Sequence, residues 1–376
     1  MNARGLRFGG RIDRYVGSLF LSSYATAFLL VVGLFLILDL ASNIDEYVEP
    51  WPDGSRAPAL LIVTFYLLKV PFVFLQVGPF VTLVAGLFTV SKLLKHNETI
   101  AALAAGVSAQ RLLAPVFLGA ATSALLMFAL RELASFRLAN KRDAVQYVLD
   151  HKQYDRVYPY LWLRDLNGNQ VLLKEFRPAT GAPPVAEVRG LDATLRSVED
   201  WSRTTADRAI FVEREGVRGW KLENGLRREL RGDEATGQKS EPIEMLEGFE
   251  FTPELALTFA RAEANPLDLS FAVVRDLGRR DPDDVRYQTL FQYHLTFPLA
   301  NVVLLLVGLP ILLRHERGRG AEGLAAGCLL CIFYFGADFV LRDLGLRGNL
   351  DPLFAAWIPI LLFGSLGLVM FDSMRS

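Results

Sequence analysis

Six long apolar runs constrain this chain more than anything else in it. Val16–Leu38, Leu112–Leu130, Leu295–Leu313 and Leu353–Phe371 hold no Asp, Glu, Lys or Arg, Ala59–Val90 holds only Lys69, and Gly323–Leu341 only Asp338. Roughly 20 consecutive apolar residues cross a bilayer as a helix. Hydrocarbon offers no water to an unpaired backbone N–H or C=O, so a helix is the form such a run takes. The first run comes after Arg4, Arg7, Arg11 and Arg14 and exceeds a signal-peptide core, so it reads as a retained span. In the second, Pro71 and Pro79 predict a kink, and the run is long enough to tilt.

The runs do not account for the whole chain. Its 376 residues are 52% hydrophobic with a mean hydropathy of +0.27, unevenly spread, so spans coexist with a polar domain. The polar part is residues 132–265. It opens on a helical stretch, ELASFRLANKRDAVQYVL, and continues in short runs of β character: PYLWLRD, QVLLKEF, EVRGLDATLRSVE, RAIFVER and GWKLENG. Asn167-Gly168 and Asn224-Gly225 are dipeptides that favour hairpin turns. With no alternation of strands and helices, the expectation is an antiparallel β domain, a sandwich or jelly roll, with Trp162, Trp201 and Trp220 in its core. The fold class is thus a six-span membrane helix bundle plus an antiparallel, jelly-roll-like β domain. Spans one to three occupy residues 1–131, the β insert 132–265, a connecting segment with a helix capped by Ser270 266–294, and spans four to six 295–376.

One charged stretch, KLLKHNETIAALAAGVSAQR at Lys92–Arg111, interrupts the apolar region between the second and third spans. Asn97 can cap a helix by accepting a bond from a free N–H, and Glu98 then sits in the first turn, where its charge suits the helix dipole. Gly106 can close the helix in the left-handed conformation, and Ser108 can cap the next segment. The result is a sharp-ended helix over about 97–106, its core only about 12 Å long. It must lie at a water interface, as a solvated connector or as a docking helix for a soluble partner. Asn97, Glu98, Ala101, Ala105 and Gly106 are the candidate docking residues. The N-terminus, this stretch and the loop with Arg314, Arg317 and Arg319 are basic, whereas the alternate short loops carry only Arg56, or Arg342 and Arg347. The positive-inside rule then places both termini and the docking stretch in the cytoplasm and the β insert outside.

A net charge of −1 argues against nucleic-acid binding. Cys328 and Cys331 lie inside an apolar run with no further ligands near them, so neither a metal site nor a disulfide framework is expected. His96, His151, His294 and His315 are scattered, and HExxH and GxSxG are absent. The nearest approach to a phosphate loop, ATGQKS at 235–240, lacks the first glycine. Catalytic residues, metals and cofactors are therefore not expected. Asp338 stands in the fifth span four residues before Arg342, either paired with it or serving as a functional intramembrane acid. Lys69 can snorkel to the outer interface, and Arg131 and Arg137 flank the third span as interface anchors. Guanidinium grips phosphate through two bonds, so Lys69, Arg131 and Arg137 are also candidates for binding an anionic lipid headgroup.

Four strings give this layout a family resemblance. Asn97-Glu98 through Ala104-Ala105-Gly106-Val107-Ser108 is like the E-I-x-A-L-R-A-x-G-[IV]-S coupling helix of the LptF/LptG family, the permease subunits of the lipopolysaccharide export transporter. Gly219-Trp220-Lys221-Leu222-Glu223-Asn224-Gly225 is similar to its W-x-L-x-[DN]-G turn. Arg286-Tyr287 through Phe297-Pro298-Leu299 resembles the approach to its fourth span, and Gly308-Leu309-Pro310 the exit. Thr99 replaces the usual aliphatic residue, and Ala102 and Leu103 stand where Leu or Met and a basic or polar residue are common. The resemblance implies two such subunits in the bacterial inner membrane above an LptB-type ATPase dimer, which binds the ATP. Glu98 would meet a basic residue of that ATPase. Lipopolysaccharide would enter from the outer leaflet, between the first span of one subunit and the fifth of the other. It would leave through the periplasmic β domain to an LptC/LptA-type bridge. Alternatives are another ABC-type permease, typically with four spans, or a membrane-anchored scaffold that transports nothing.

Overall fold

A computed structural model describes residues 10–52, 54–180, 185–196, 201–214, 217–230, 240–246, 249, 251–314 and 320–375. In chain order its helices are α1 (Arg11–Val48), α2 (Ala59–Lys95), α3 (Glu98–Ala104), α4 (Ala109–Arg137), α5 (Ala139–His151), α6 (Pro253–Ala264), α7 (Phe271–Arg280), α8 (Val285–Thr296), α9 (Ala300–Arg314), α10 (Gly320–Leu346) and α11 (Pro352–Asp372). The strands are β1 (Tyr158–Arg164), β2 (Gln170–Thr180), β3 (Val185–Arg196), β4 (Trp201–Arg214), β5 (Val217–Glu223), β6 (Leu226–Leu230) and β7 (Ser240–Pro242). They form two compact units, one of Met1–Asp45, Tyr66–Leu138 and Gln288–Ser376, the other of Glu46–Phe65 and Ala139–Tyr287.

Among the described residues, six helices are long and apolar enough to cross a membrane. Pro71 and Pro79 both lie within α2. The fourth span is α8 and α9 joined through a 3-10 turn at Phe297–Leu299, where Pro298 supplies no N–H to an α-helical ladder. This span is the centre of the membrane unit, 72% of its most apolar stretch being buried, against 11% for α1. Glycines let it approach α2: a Cβ at Gly308 would sit 2.5 Å from Leu83, and one at Gly86 2.4 Å from Leu305. Asn301, fully buried, ties neighbouring helices to it. Its Oδ1 accepts from the Thr82 hydroxyl at 2.5 Å and the Ser123 hydroxyl at 3.3 Å, while its Nδ2 donates to the Pro298 carbonyl at 2.8 Å. Tyr24 of α1 joins through Ser123 at 2.7 Å. In a low-dielectric interior each of these groups would be costly alone; bonded to one another, they are not.

The second unit is built on one open antiparallel sheet of seven strands, in the order β1-β2-β3-β4-β6-β7 with β5 also on β4. Asn167-Gly168 makes the expected hairpin: Gly168 has φ +82°, its N–H donates to the Asp165 carbonyl, and β1 and β2 pair from Arg164↔Gln170 outward. Asn224-Gly225 does not reverse the chain. β5 and β6 pair with β4 in one unbroken register, from Arg214↔Val217 to Trp201↔Leu230, so the dipeptide lies inside one long strand as an unpaired step. Gly225 is needed because the chain at Ile243 comes close: an added Cβ would lie 2.3 Å from the Ile243 carbonyl oxygen.

That step belongs to a crease running across the sheet. Tyr160, Lys174, Gly190, Asp207 and Asn224 occupy one row, and the ladder pairs skip every one of them. Tyr160, Gly190 and Asn224 have positive φ, 51°, 67° and 55°. Strands alternate faces with period two, yet here the buried positions jump by three. They run Val171, Leu173, then Phe176 in β2; Val188 then Leu191 in β3; Ala206 then Ala209 in β4; Leu222 then Gly225 in β5–β6. β2, β3, β4 and the continuous β5–β6 take the extra step at the same row. Pairing therefore survives while the apolar face changes parity.

Trp220 is core, 1% exposed, stacked on Phe251 with its Nε1–H on the Phe251 carbonyl at 2.8 Å. Trp162 and Trp201 correct the expectation. At 56% and 43% exposed, they point away from the face that holds Leu161, Leu163 and Ser202. Beside the sheet, Arg142 of α5 pairs with Asp268 at 2.5 Å and Asp143 at 2.6 Å, and Arg261 of α6 pairs with Asp143 at 2.7 Å. Burial works against the Arg142 charge, but the two aspartates outweigh it and hold its pKa above the ordinary value. Residues 235–239 of the ATGQKS string, and Arg4, Arg7, Arg317 and Arg319 of the basic segments, lie outside the described residues.

Candidate docking helix and membrane groove

α3 is a two-turn helix whose ends are set by specific residues. At its C-terminus Gly106 is left-handed, φ +82°; the Val107 N–H donates to the Ala102 carbonyl and the Gly106 N–H to Leu103, a Schellman closure. Ser108 caps α4 by accepting from the Arg111 N–H at 3.3 Å. Asn97 corrects the expected cap. It is left-handed, φ 58°, and its side chain makes no cap bond to α3. Its N–H instead donates to the Leu94 carbonyl, so Asn97 terminates α2, a role that asparagine fills better than other non-glycine residues.

Glu98 stands in the first turn, as expected. Its Oε1 accepts from the Tyr15 hydroxyl at 2.8 Å, and its covered Oε2 has no hydrogen-bond partner among the described residues. Thr99 turns inward, 5% exposed, its hydroxyl without a partner among the described residues, which suits a position where an aliphatic side chain would pack. The outer face is Ile100, Ala101, Leu103, Ala104, Ala105 and Gly106, with Ile100 43% and Leu103 46% exposed. Sequence reasoning picks out the carboxylate and the small residues. It misses Ile100 and Leu103, although their spacing of three marks one helix face.

The charged candidates separate. Lys69 pairs with Asp39 of α1 at 2.7 Å, and the Tyr66 hydroxyl donates to the same carboxylate oxygen at 2.9 Å. Arg131 is buried inside α4, 5% exposed, where its charge acts on Tyr293 and His294; Arg137 is exposed. Asp338 is buried and pairs with Arg342 at 3.3 Å, whose guanidinium also donates to the Tyr293 hydroxyl at 2.6 Å. An open groove of about 460 Å³ lies between α2 and α10, walled by Val77, Phe80, Ile332 and Phe335, with Gln76 and the two cysteines among its lining. Among the described residues no group of three His, Cys, Asp or Glu could hold a metal.

A family model described as lipopolysaccharide export system permease LptF/LptG matches residues 14–373. The chain belongs to the LptF/LptG family. Its six spans, its antiparallel sheet and the match over nearly the whole chain make it a multi-pass permease component of the lipopolysaccharide export system rather than an enzyme. No curated protein matches it.

Proposed function

We propose that this chain is one of two permease subunits of an ABC transporter in the bacterial inner membrane. Driven by an LptB-type ATPase dimer, it extracts lipopolysaccharide from the outer leaflet. α3 is the docking helix, and its outer face carries the reading: two exposed aliphatic side chains and three alanines, with the Glu98 carboxylate at its start. Exposed apolar side chains on a short helix beside a charge suit a covered surface better than a solvated connector. Asn97, Glu98, Ala101, Ala105 and Gly106 then contact the ATPase, with Ile100 and Leu103 added. The chain itself binds no cofactor in this reading; ATP belongs to the partner.

Moving acyl chains out of a bilayer costs about 0.8 kcal/mol per exposed CH₂, so a covered apolar route is required. The α2–α10 groove supplies apolar walls along such a route. Arg137, exposed at the end of α4, is the first candidate for the phosphorylated headgroup; Lys69 and Arg131, matched or buried in the chain, rank behind it. The β unit then faces the periplasm and passes the lipid to an LptC/LptA-type bridge, with both chain termini in the cytoplasm.

Pull-down from detergent-solubilised membranes tests the docking. Wild type is expected to retain an LptB-type ATPase, and Glu98→Lys to lose it at least tenfold, because a like charge replaces the acceptor. Wild type arriving without an ATPase would favour a membrane-anchored scaffold.

A further inference from the structure

The cytoplasmic-side foot of α1 is fastened to the two ends of the docking segment. Tyr15 donates to Glu98 at 2.8 Å at the start of α3, and Asp13 pairs with Arg111 at 2.8 Å just past its end. Higher along α1, the Lys92 ammonium of α2 reaches Ser23 at 3.4 Å. Elsewhere α1 is the least embedded span, with 11% of its most apolar stretch buried. A helix that packs thinly along its length but is bonded at its foot moves with whatever moves the foot.

We propose that Tyr15 is a positioning residue that makes α1 and the docking helix move together, so that α1 takes up nucleotide-driven motion of the ATPase directly from α3 as well as through α2 and α4, which the chain joins to α3. The inference rests on the docking reading of α3. Tyr15 holds Oε1, and Oε2 is covered with no hydrogen-bond partner among the described residues, so the bond to Tyr15 is what fixes the Glu98 carboxylate at the foot of α1. Asp13 holds the other side, and its Oδ2 also accepts from the Gly10 N–H at 3.1 Å, which anchors the first turn of α1 to the same carboxylate.

The test uses the whole complex, carrying the ATPase that co-purifies with it, in vesicles of phosphatidylethanolamine, phosphatidylglycerol and lipopolysaccharide. Tyr15→Phe keeps the ring and removes one exposed hydroxyl. It should retain ATPase capture and ATP turnover while lipopolysaccharide released per ATP falls roughly three- to tenfold, the span a typical net hydrogen-bond contribution supports at an exposed position. Asp13→Arg should lower the same ratio, and the exchange Asp13→Arg with Arg111→Asp should recover at least half of it. A merely structural role would lower capture and turnover together. Tyr15→Phe releasing lipid at the wild-type ratio overturns the relay. Wild type that captures no ATPase overturns the docking reading and the relay with it, an outcome distinct from captured ATPase with unchanged coupling.

Discussion

α1 and the α8–α9 span belong to one bundle and are held in opposite ways. The fourth span is buried over 72% of its most apolar stretch, meets α2 through glycine-mediated contact and carries the Asn301 knot. α1 is buried over 11% and, beyond the close contact of Phe20 with Gly119 of α4, is retained by ties: Tyr24 to Ser123, Asp39 to Lys69, Asp13 to Arg111 and Tyr15 to Glu98. Lipid tails are as apolar as leucine, so helices in a membrane associate by close packing and hydrogen bonds rather than by hydrophobic burial. A span with both is a spine. One with ties and little packing can change its neighbours while staying attached, which a transporter's moving element requires.

The same substitution on the two helices should give opposite results. Gly308→Val puts methyl groups where Leu83 already stands 2.5 Å from the first added carbon, in a fully packed crossing. Overpacking of this kind costs typically about 1–3 kcal/mol and at times more, so thermal stability in detergent should fall steeply and folded yield with it. Gly33→Val on α1 meets nothing within 4 Å, and valine is the better helix former, so the isolated chain should be unchanged or slightly more stable. If both variants lose stability alike, the distinction between spine and peripheral span is wrong. If Gly33→Val keeps stability but weakens pairing with a second permease subunit, the open side of α1 is the subunit contact.

Asn301→Ala comes next in size. It removes the acceptor of two buried hydroxyls, Thr82 and Ser123, and a donor to the Pro298 carbonyl. Orphaned buried groups cost about 1–3 kcal/mol in soluble proteins, but in membranes measured values average nearer about 0.6 kcal/mol because the freed groups find other partners. A loss of about 1–2 kcal/mol in the unfolding free energy is expected. A neutral variant would mean that glycine packing alone holds the spine.

Those helices were legible in the sequence because a run of apolar residues in lipid has one solution. The β unit was legible only in class. Alternation read strand by strand cannot register the crease, since its signature is a parity jump at Lys174, Gly190, Asp207 and Asn224 that becomes meaningful only when the rows are aligned across strands. Asn224-Gly225 carries the residues of a hairpin turn but meets a second chain segment at Ile243, a contact local preference does not encode. The same limit applies at the docking helix. Glu98, Gly106 and Ser108 took their expected places because capping is a local matter. Asn97 went to the preceding helix because either helix could use it, and Tyr15, 83 positions from Glu98, became visible only when α1 and α3 were brought together.

The smallest effect bears on α1 most directly. Tyr24→Phe removes a hydroxyl that bonds Ser123 at 2.7 Å, the bond that joins α1 to the buried knot. Ser123 would still face Thr82 at 3.2 Å and Asn301 at 3.3 Å, so nothing is orphaned on the spine's side. The ring would keep its place beside Phe20, 5.8 Å between centroids. The cost should therefore stay below about 0.5–1 kcal/mol, well under that of Asn301→Ala in the same detergent. Measured together, the two variants give the coupling between α1 and the spine, because a double variant costing no more than Asn301→Ala alone means that the tie depends on the knot and not the reverse. Equal single costs would make α1 part of the spine, and the relay from the docking helix would then have to move the whole bundle rather than one helix.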